Sequence, residues 1–301
     1  MIWLFASLAS AAFIGLVSIS DKVVIHRYTK TSLTLPLISG VCQFIVGIVC
    51  IGISGIPDEA TFTTSCSAIG SGALLGLAVV ILMRVMYTQE VSRAVPVTQC
   101  APIFAALLAL LILGESITLI QWGGIITAVI GSVLISLKIN DGIQGIFLHK
   151  SFYFLMFSAF FFGASYVVGK LALEELPILY THGLRTFTVG LIFLACTART
   201  EPWNDFKSLL AKRSPAFLFV MVNEFITAQL ALIVFLWALS LGSASLVSAV
   251  TSSRALFTLL FSVGITKRWN GALGEEISTS STLTKLFSTV LIVVGIVAIA
   301  M

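Results

Sequence analysis

The sequence predicts an all-α integral membrane protein of ten transmembrane helices, arranged as two inverted five-helix repeats. Three observations predict it. The composition is too apolar for a soluble domain. Ten runs are long enough to cross a bilayer. The second half of the chain repeats features of the first in the same order.

Of 301 residues, 58% are hydrophobic and 10% are Asp, Glu, Lys or Arg. Soluble domains carry about 25% charged residues. A soluble fold of this length could not enclose so much apolar surface, and a bilayer removes the need to. The net charge of +4 is too small to indicate a nucleic-acid partner. Cys42, Cys50, Cys66, Cys100 and Cys196 form no C-x-x-C pair and read as small hydrophobes. His26, His149 and His182 are scattered with no second ligand at helical spacing, so neither a metal nor a cofactor is expected. The N-terminus is apolar from Met1-Ile2-Trp3-Leu4 and lacks the basic start of a cleaved signal peptide.

A helix needs about 20 apolar residues to cross the hydrocarbon core. Ten spans are expected near 2–20, 33–53, 68–89, 94–113, 118–137, 151–170, 178–197, 216–239, 243–265 and 284–301. Most separators are short and polar, such as Pro57-Asp58-Glu59, Gly114-Glu115-Ser116 and Asn140-Asp141-Gly142. Two are longer, 198–215 and 266–283. In lipid the backbone must bond internally, which leaves helices or a closed barrel. Barrel strands alternate apolar and polar residues. These runs are apolar all round, so helices are expected. Gly72-x-x-x-Gly76, Gly123-Gly124 and Gly131 are small-residue signals for close helix packing.

Phe13-Ile14-Gly15 precedes Lys22 by the same interval as Phe162-Gly163 precedes Lys170, an offset of 148. Pro36 opens the second span and Pro177 the seventh, an offset of 141. Ser92-Arg93-Ala94 and Gly242-Ser243-Ala244 close equivalent links at an offset of 150. The common order indicates a duplication of five spans. An odd number of spans per copy inverts the second copy, the arrangement by which many secondary transporters open a central site to each side in turn.

Of the 17 Lys and Arg residues, 12 fall on odd-numbered links or beside them, from Arg27 and Lys30 to Lys267, Arg268 and Lys285. The even links carry none. The positive-inside rule makes the odd links cytoplasmic and places both termini outside.

The stretch Tyr87–Ile135 resembles the EamA-like transporters of the drug/metabolite transporter superfamily. Ser92-Arg93-Ala94, Ala101-Pro102-Ile103-Phe104-Ala105-Ala106-Leu107, Leu113-Gly114-Glu115 and Gln121-Trp122-Gly123 carry the resemblance. Phe162-Gly163 and Leu184-Arg185 match in the second half, where such proteins often carry an arginine; Gln43 stands near that position in the first. The second half departs at Leu273-Gly274-Glu275, which follows a longer link, and at Ser252, which replaces the proline of helix four. The resemblance implies repeats over 1–140 and 151–301, and export or exchange of a small-molecule solute, with a proton or counter-solute as the coupled species. It also implies that spans five and ten serve as scaffold or homodimer contacts. The expected location is the plasma membrane, the inner membrane in a bacterium. Many relatives have cytoplasmic termini; the charge asymmetry of this chain favours the opposite.

An ionisable residue at a helix centre costs about 2.5–3.5 kcal/mol on insertion scales, so it should face a cavity or a partner. Arg254 is the most central and reads as an anion-binding group or as a structural partner of Glu224. Glu224 reads as a coupling carboxylate or as that arginine's counter-ion. Arg185 either reaches the cavity or snorkels, and Arg84 lies near a span end where snorkelling is favoured. Lys22 and Lys170 match across the repeat as boundary anchors or gating residues. Tyr87, Gln99, Tyr166, Gln229 and Trp237 are candidates to line a cavity, with ordinary helix packing as the alternative. Three arginines and one glutamate in the membrane favour an anionic or zwitterionic solute. Alternatives are a multidrug exporter of lipophilic cations using Glu224, or a non-transporting scaffold or lipid-handling subunit. Small multidrug relatives use a glutamate in their first helix, and this chain has none there. No Ser-His-Asp order, H-E-x-x-H or carboxylate pair within a helix points to an enzyme.

Overall fold

In a computed structural model that describes residues 1–27, 31, 33–88, 97–136, 150–211, 215–268 and 279–301, every regular element is helical. Helices α1 (Ile2–Arg27), α2 (Thr34–Ser54) and α3 (Phe62–Thr88) are followed by the shorter α4 (Ala101–Ile112) and α5 (Leu119–Ser136). Then come α6 (Lys150–Leu173), α7 (Ile178–Cys196) and the connecting helix α8 (Thr200–Ala211). A composite span follows: α9 (Pro215–Val222), a π turn (Asn223–Thr227) and α10 (Ala228–Leu241). The chain ends with α11 (Ala244–Thr251), α12 (Arg254–Arg268) and α13 (Thr279–Ala300).

Seven segments have the length and apolar character to cross a membrane; they include Leu218–Leu241, which crosses the π turn, and Ala244–Phe261, which crosses the α11–α12 junction. The fourth, fifth and tenth expected spans are the shorter apolar helices Ala101–Ile112, Leu119–Leu134 and Leu286–Ala300. At about 1.5 Å per residue a 12-residue helix such as α4 covers only about 18 Å. The expected start of the fourth span, at 94, lies outside the described residues.

Two expected spans are not uniform helices. The eighth carries a π turn at Glu224. The ninth breaks at Ser252-Ser253, where the N–H of Ser253 bonds the carbonyl of Val250 and that of Leu256 the carbonyl of Ser253. These are tight bonds to the third preceding residue. The long seventh link contains α8, whose Phe206 and Leu209 pack on Leu35, Ile38, Cys42 and Val220. Its Glu201, Asn204 and Lys207 are exposed, so it is an amphipathic strap beside α2.

The most extensive contacts join α2 to α7, α3 to α6 and α5 to α13. Lipid supplies no hydrophobic drive between helices, so close approach and interhelical hydrogen bonds must hold them. A Cβ at Gly47 would lie 2.5 Å from the Phe187 nitrogen, and one at Gly190 would lie 2.5 Å from the Phe44 nitrogen. The rings of Phe44 and Phe187 stack at 5.0 Å. The same Phe-x-x-Gly unit on each helix therefore packs against the other, with the two helices antiparallel. Between α3 and α6, Ser71 Oγ donates to the Ser165 carbonyl at 2.7 Å and Ser165 Oγ donates to the Ser71 carbonyl at 2.9 Å. The faces turned away from these seams are apolar and exposed, as at Ile45, Ile48, Val49 and Ile53 of α2.

Replacing Gly47 by Ala would overpack the α2–α7 seam at an expected cost of about 1–3 kcal/mol. Gly52, on the same helix, has open space where a Cβ would go. Thermal unfolding of purified protein should show G47A melting well below wild type and G52A unchanged or slightly higher. Equal melting of the two variants would show that the seam does not limit stability.

Candidate functional site

The inner ends of α6, α7 and the π-turn span form a polar network within the helix bundle. Arg185, on α7, is 3% exposed. Its Nη2 donates to Ser165 Oγ at 2.9 Å, and its guanidinium carbon lies 5.9 Å from the centroid of the Phe235 ring. Tyr166 packs on the same ring at 4.8 Å. The Nε and Nη1 groups of Arg185 are buried without a hydrogen-bond partner. One turn earlier, His182 is fully buried, with Nε2 3.1 Å from Gln229 Oε1. The amide oxygen can only accept, so His182 Nε2 carries the proton and the unpartnered Nδ1 is a free acceptor. Gln229 Nε2 in turn donates to the Glu224 carbonyl at 2.9 Å.

Glu224 lies within the π turn and is buried. One extra residue in the turn redirects the following side chains, and such turns occur frequently at functional sites. Asn223 and Glu224 are both buried. Glu224 Oε1 accepts from Ser39 Oγ of α2 at 2.8 Å. Asn223 Nδ2 donates to Asp21 Oδ1 of α1 at 3.2 Å. The charge of Glu224 lies within coulombic reach of Asp21. A third polar contact, Thr34 Oγ1 donating to Asp205 Oδ2 at 2.7 Å, ties α2 to α8. This end of the bundle is closed by polar contacts between α1 or α2 and the segment 200–224.

The opposite end has a different closure. Gly114 adopts φ +64°, a left-handed conformation that favours glycine, just past the end of α4. The turn delivers Glu115 to the start of α11. There its carboxylate accepts from the N–H groups of Ala244 and Ser245 and from Ser245 Oγ. Free N–H groups at a helix start are unpaired donors with partial positive charge, so a carboxylate there is favourable. Lys170, at the end of α6, donates to the carbonyls of Leu239 at 2.8 Å and Ser240 at 3.3 Å, the terminal acceptors of α10.

The EamA-like transporter family matches residues 1–137 and 149–301. The chain belongs to that family. It is one of the transporters of the drug/metabolite type, a multi-pass membrane protein. No curated protein matches it. A solved crystal structure of another protein superposes with a TM-score of 0.72 over 98% of this chain and 94% of that chain, at 14% identity, which is a likeness of fold.

In this EamA-like chain the network gathers four of the residues singled out from sequence: Arg185, Tyr166, Gln229 and Glu224. Of the two readings offered for Glu224, the pair with Arg254 is not the contact formed: its carboxylate accepts from Ser39. Arg254 is half-buried as the first residue of α12, directly after the Ser252-Ser253 break. Its guanidinium makes no hydrogen bond or ion pair among the described residues. Gln99 is buried in the turn before α4, apart from the network contacts. Trp237 is 45% exposed and apart from the network contacts. Arg84 is exposed near the end of α3. The side chains of Tyr87 and Lys22 lie outside the described residues.

Sequence reasoning missed Asp21, Ser39, Ser165, Asn223 and His182. Asp21 is the single carboxylate in the first apolar run, and His182 lies three residues before Arg185 on one helix face. Both signals were present. The partnership of Ser39 with Glu224 depends on the π turn and has no local signal.

If Glu115 stabilises the start of α11 from across the bundle, Glu115→Ala should cost about 0.5–2 kcal/mol, in the range of a lost helix cap. Glu115→Gln should cost less, because the amide oxygen still accepts. Thermal melts of the three proteins check this; identical midpoints for wild type and E115A would remove the cap from the account.

Proposed function

We propose that this chain moves a small anionic or zwitterionic metabolite across the bilayer by alternating access, as an exporter or exchanger. The observation that carries the reading is the buried Arg185 guanidinium, whose Nε and Nη1 are unpartnered. Among the described residues no carboxylate pairs with it. A buried charged donor left unsatisfied is costly, and a solute carboxylate or phosphate supplies the missing acceptor, often in bidentate form. Tyr166 and Phe235 form an aromatic shelf beside it. His182 Nδ1 offers an acceptor to an ammonium or hydroxyl on the same solute. Arg254, at the broken ninth span, is the second anion-binding group in this reading. Discontinuous helices are a recurrent feature of substrate sites in secondary transporters.

Alternating access requires two halves that rock about the site. The reciprocal Phe-x-x-Gly contact of α2 and α7 supports ten spans in two inverted repeats over 1–140 and 151–301. The two end closures are the natural gates. Ser39–Glu224 and Asp21–Asn223 lie at one end, and Glu115 with the start of α11 lies at the other. With the odd links cytoplasmic and both termini outside, the first gate faces the cytoplasm of a plasma membrane. The paired α5 and α13 expose apolar faces suited to scaffold or homodimer contacts.

Counterflow into proteoliposomes tests the solute class. Across a panel of carboxylates and organic phosphates, Arg185→Ala should lower uptake about tenfold or more. Arg185→Lys should retain part of it, since lysine keeps the charge and loses the fork geometry. An Arg185→Ala protein that exchanges the panel as wild type does would overturn the site.

A second reading is favoured by Asp21 and Glu224, two carboxylates brought together by α1 and the π turn. They suit a lipophilic cation or a coupled proton. Cells expressing the protein should then survive cationic dyes, and Glu224→Gln should abolish that resistance. Dye sensitivity equal to that of cells without the protein would exclude cation export as its activity.

A further inference from the structure

A cavity of about 210 Å³ opens between the start of α2 and the ends of α3 and α7. Its walls include Pro36, Val80 and Phe193, with Thr197 at the end of α7. Two arginines are among its lining residues, Arg84 from α3 and Arg199 from the residues after α7, and both are exposed. No acidic residue is among its lining residues. Among the described residues neither side chain hydrogen-bonds or ion-pairs. Two like charges sharing a cavity repel unless an anion sits with them.

The cavity lies at the edge of the apolar region. The spanning segments that bound it begin at Thr34 and end at Val85 and Cys196. Its side is that of the odd links, which hold 12 basic residues. Its volume is below the roughly 300–1,000 Å³ of pockets that enclose a whole small-molecule ligand. A headgroup suits it better than an entire metabolite. We propose that Arg84 and Arg199 bind the phosphate of an anionic phospholipid, with Pro36, Val80 and Phe193 against the upper part of its acyl chains. Basic pockets between transmembrane helices recognise such headgroups by charge and by forked hydrogen bonds. The site stands apart from the solute site and does not depend on which solute is carried.

Thermal unfolding in neutral detergent, with phosphatidylglycerol, phosphatidylcholine or inorganic phosphate added, tests it. A ligand of the folded state raises the midpoint by linkage. Phosphatidylglycerol should raise the midpoint of wild type by several degrees, and phosphatidylcholine and inorganic phosphate should not. The double variant Arg84→Gln, Arg199→Gln should lose most of the shift, and the double lysine variant should keep part of it. Lys207→Ala, which removes an exposed charge on α8 outside the cavity, should keep all of it. The shift is compared within each variant, so a lower starting midpoint does not obscure the result. If the lysine and glutamine variants lose it equally, the charge is not what binds. A shift retained by the glutamine variant, or lost equally in Lys207→Ala, would assign the effect to diffuse surface charge. An equal shift with inorganic phosphate would make the occupant a free anion and overturn the lipid assignment.

Discussion

A bilayer interior offers no water to a polar group, and this single constraint shapes both the packing and the site. Helices answer most of the demand by bonding their backbone groups internally. Several of the polar side chains that remain find partners on another helix. Ser71 and Ser165 do so reciprocally, each donating to the other's carbonyl. The same pair then positions Arg185, because Ser165 Oγ is both the donor to Ser71 and the acceptor for the guanidinium. Close approach makes this geometry available. Gly72 stands where a Cβ would lie 2.5 Å from the Arg185 carbonyl oxygen. The helix that carries the charge is thus pressed against α3 by a glycine, and its neighbour α6 is tied to α3 by two serines.

The interruptions of regular helix fall where charge is concentrated. The π turn carries Asn223 and Glu224, and the Ser252-Ser253 break immediately precedes Arg254. A regular helix exposes no free backbone groups and projects side chains at fixed angles. Local deviation releases some of both. Local sequence contributes to both deviations: Asn223 and Thr227 stand in the π turn and Thr251-Ser252-Ser253 at the break, residues of modest helix propensity.

Much of the architecture was legible in the sequence because it follows from pattern. Ten apolar runs correspond to ten apolar helical regions, of which seven reach full spanning length. The Gly-Glu turn was visible as a motif. Its purpose was not, since the carboxylate caps a helix more than a hundred residues away. Arg185, Glu224, Gln229 and Tyr166 were found by a simple rule, that polar side chains in apolar runs need a reason. The same rule picked out Trp237, which is half-exposed and outside the network, and whose amphipathic ring is equally at home on a lipid-facing surface. It passed over Asp21 because that residue sits at the end of its run beside Lys22, where a boundary charge needs no explanation. The strap α8 was invisible as a helix because its sequence is polar on one side and short.

Arginines near the membrane thus divide by what surrounds them and not by their position in the chain. Arg185 is in the middle of its helix and is almost entirely enclosed, with a serine, an aromatic ring and two vacant donor groups. Arg84, near the end of α3, and Arg199, between α7 and α8, are exposed residues that share the lining of one cavity. For the first, the enclosure leaves two donor groups without a partner, and in the proposed function a solute supplies the acceptor. For the others, water and headgroups are both at hand, and holding a ligand costs little desolvation. A buried cation is therefore selective and sensitive to substitution. A boundary cation is tolerant, and gains specificity only when a second charge shares its cavity. The same side chain can serve transport in one place and anchoring in another because the local dielectric, not the residue type, sets what an unpaired charge demands.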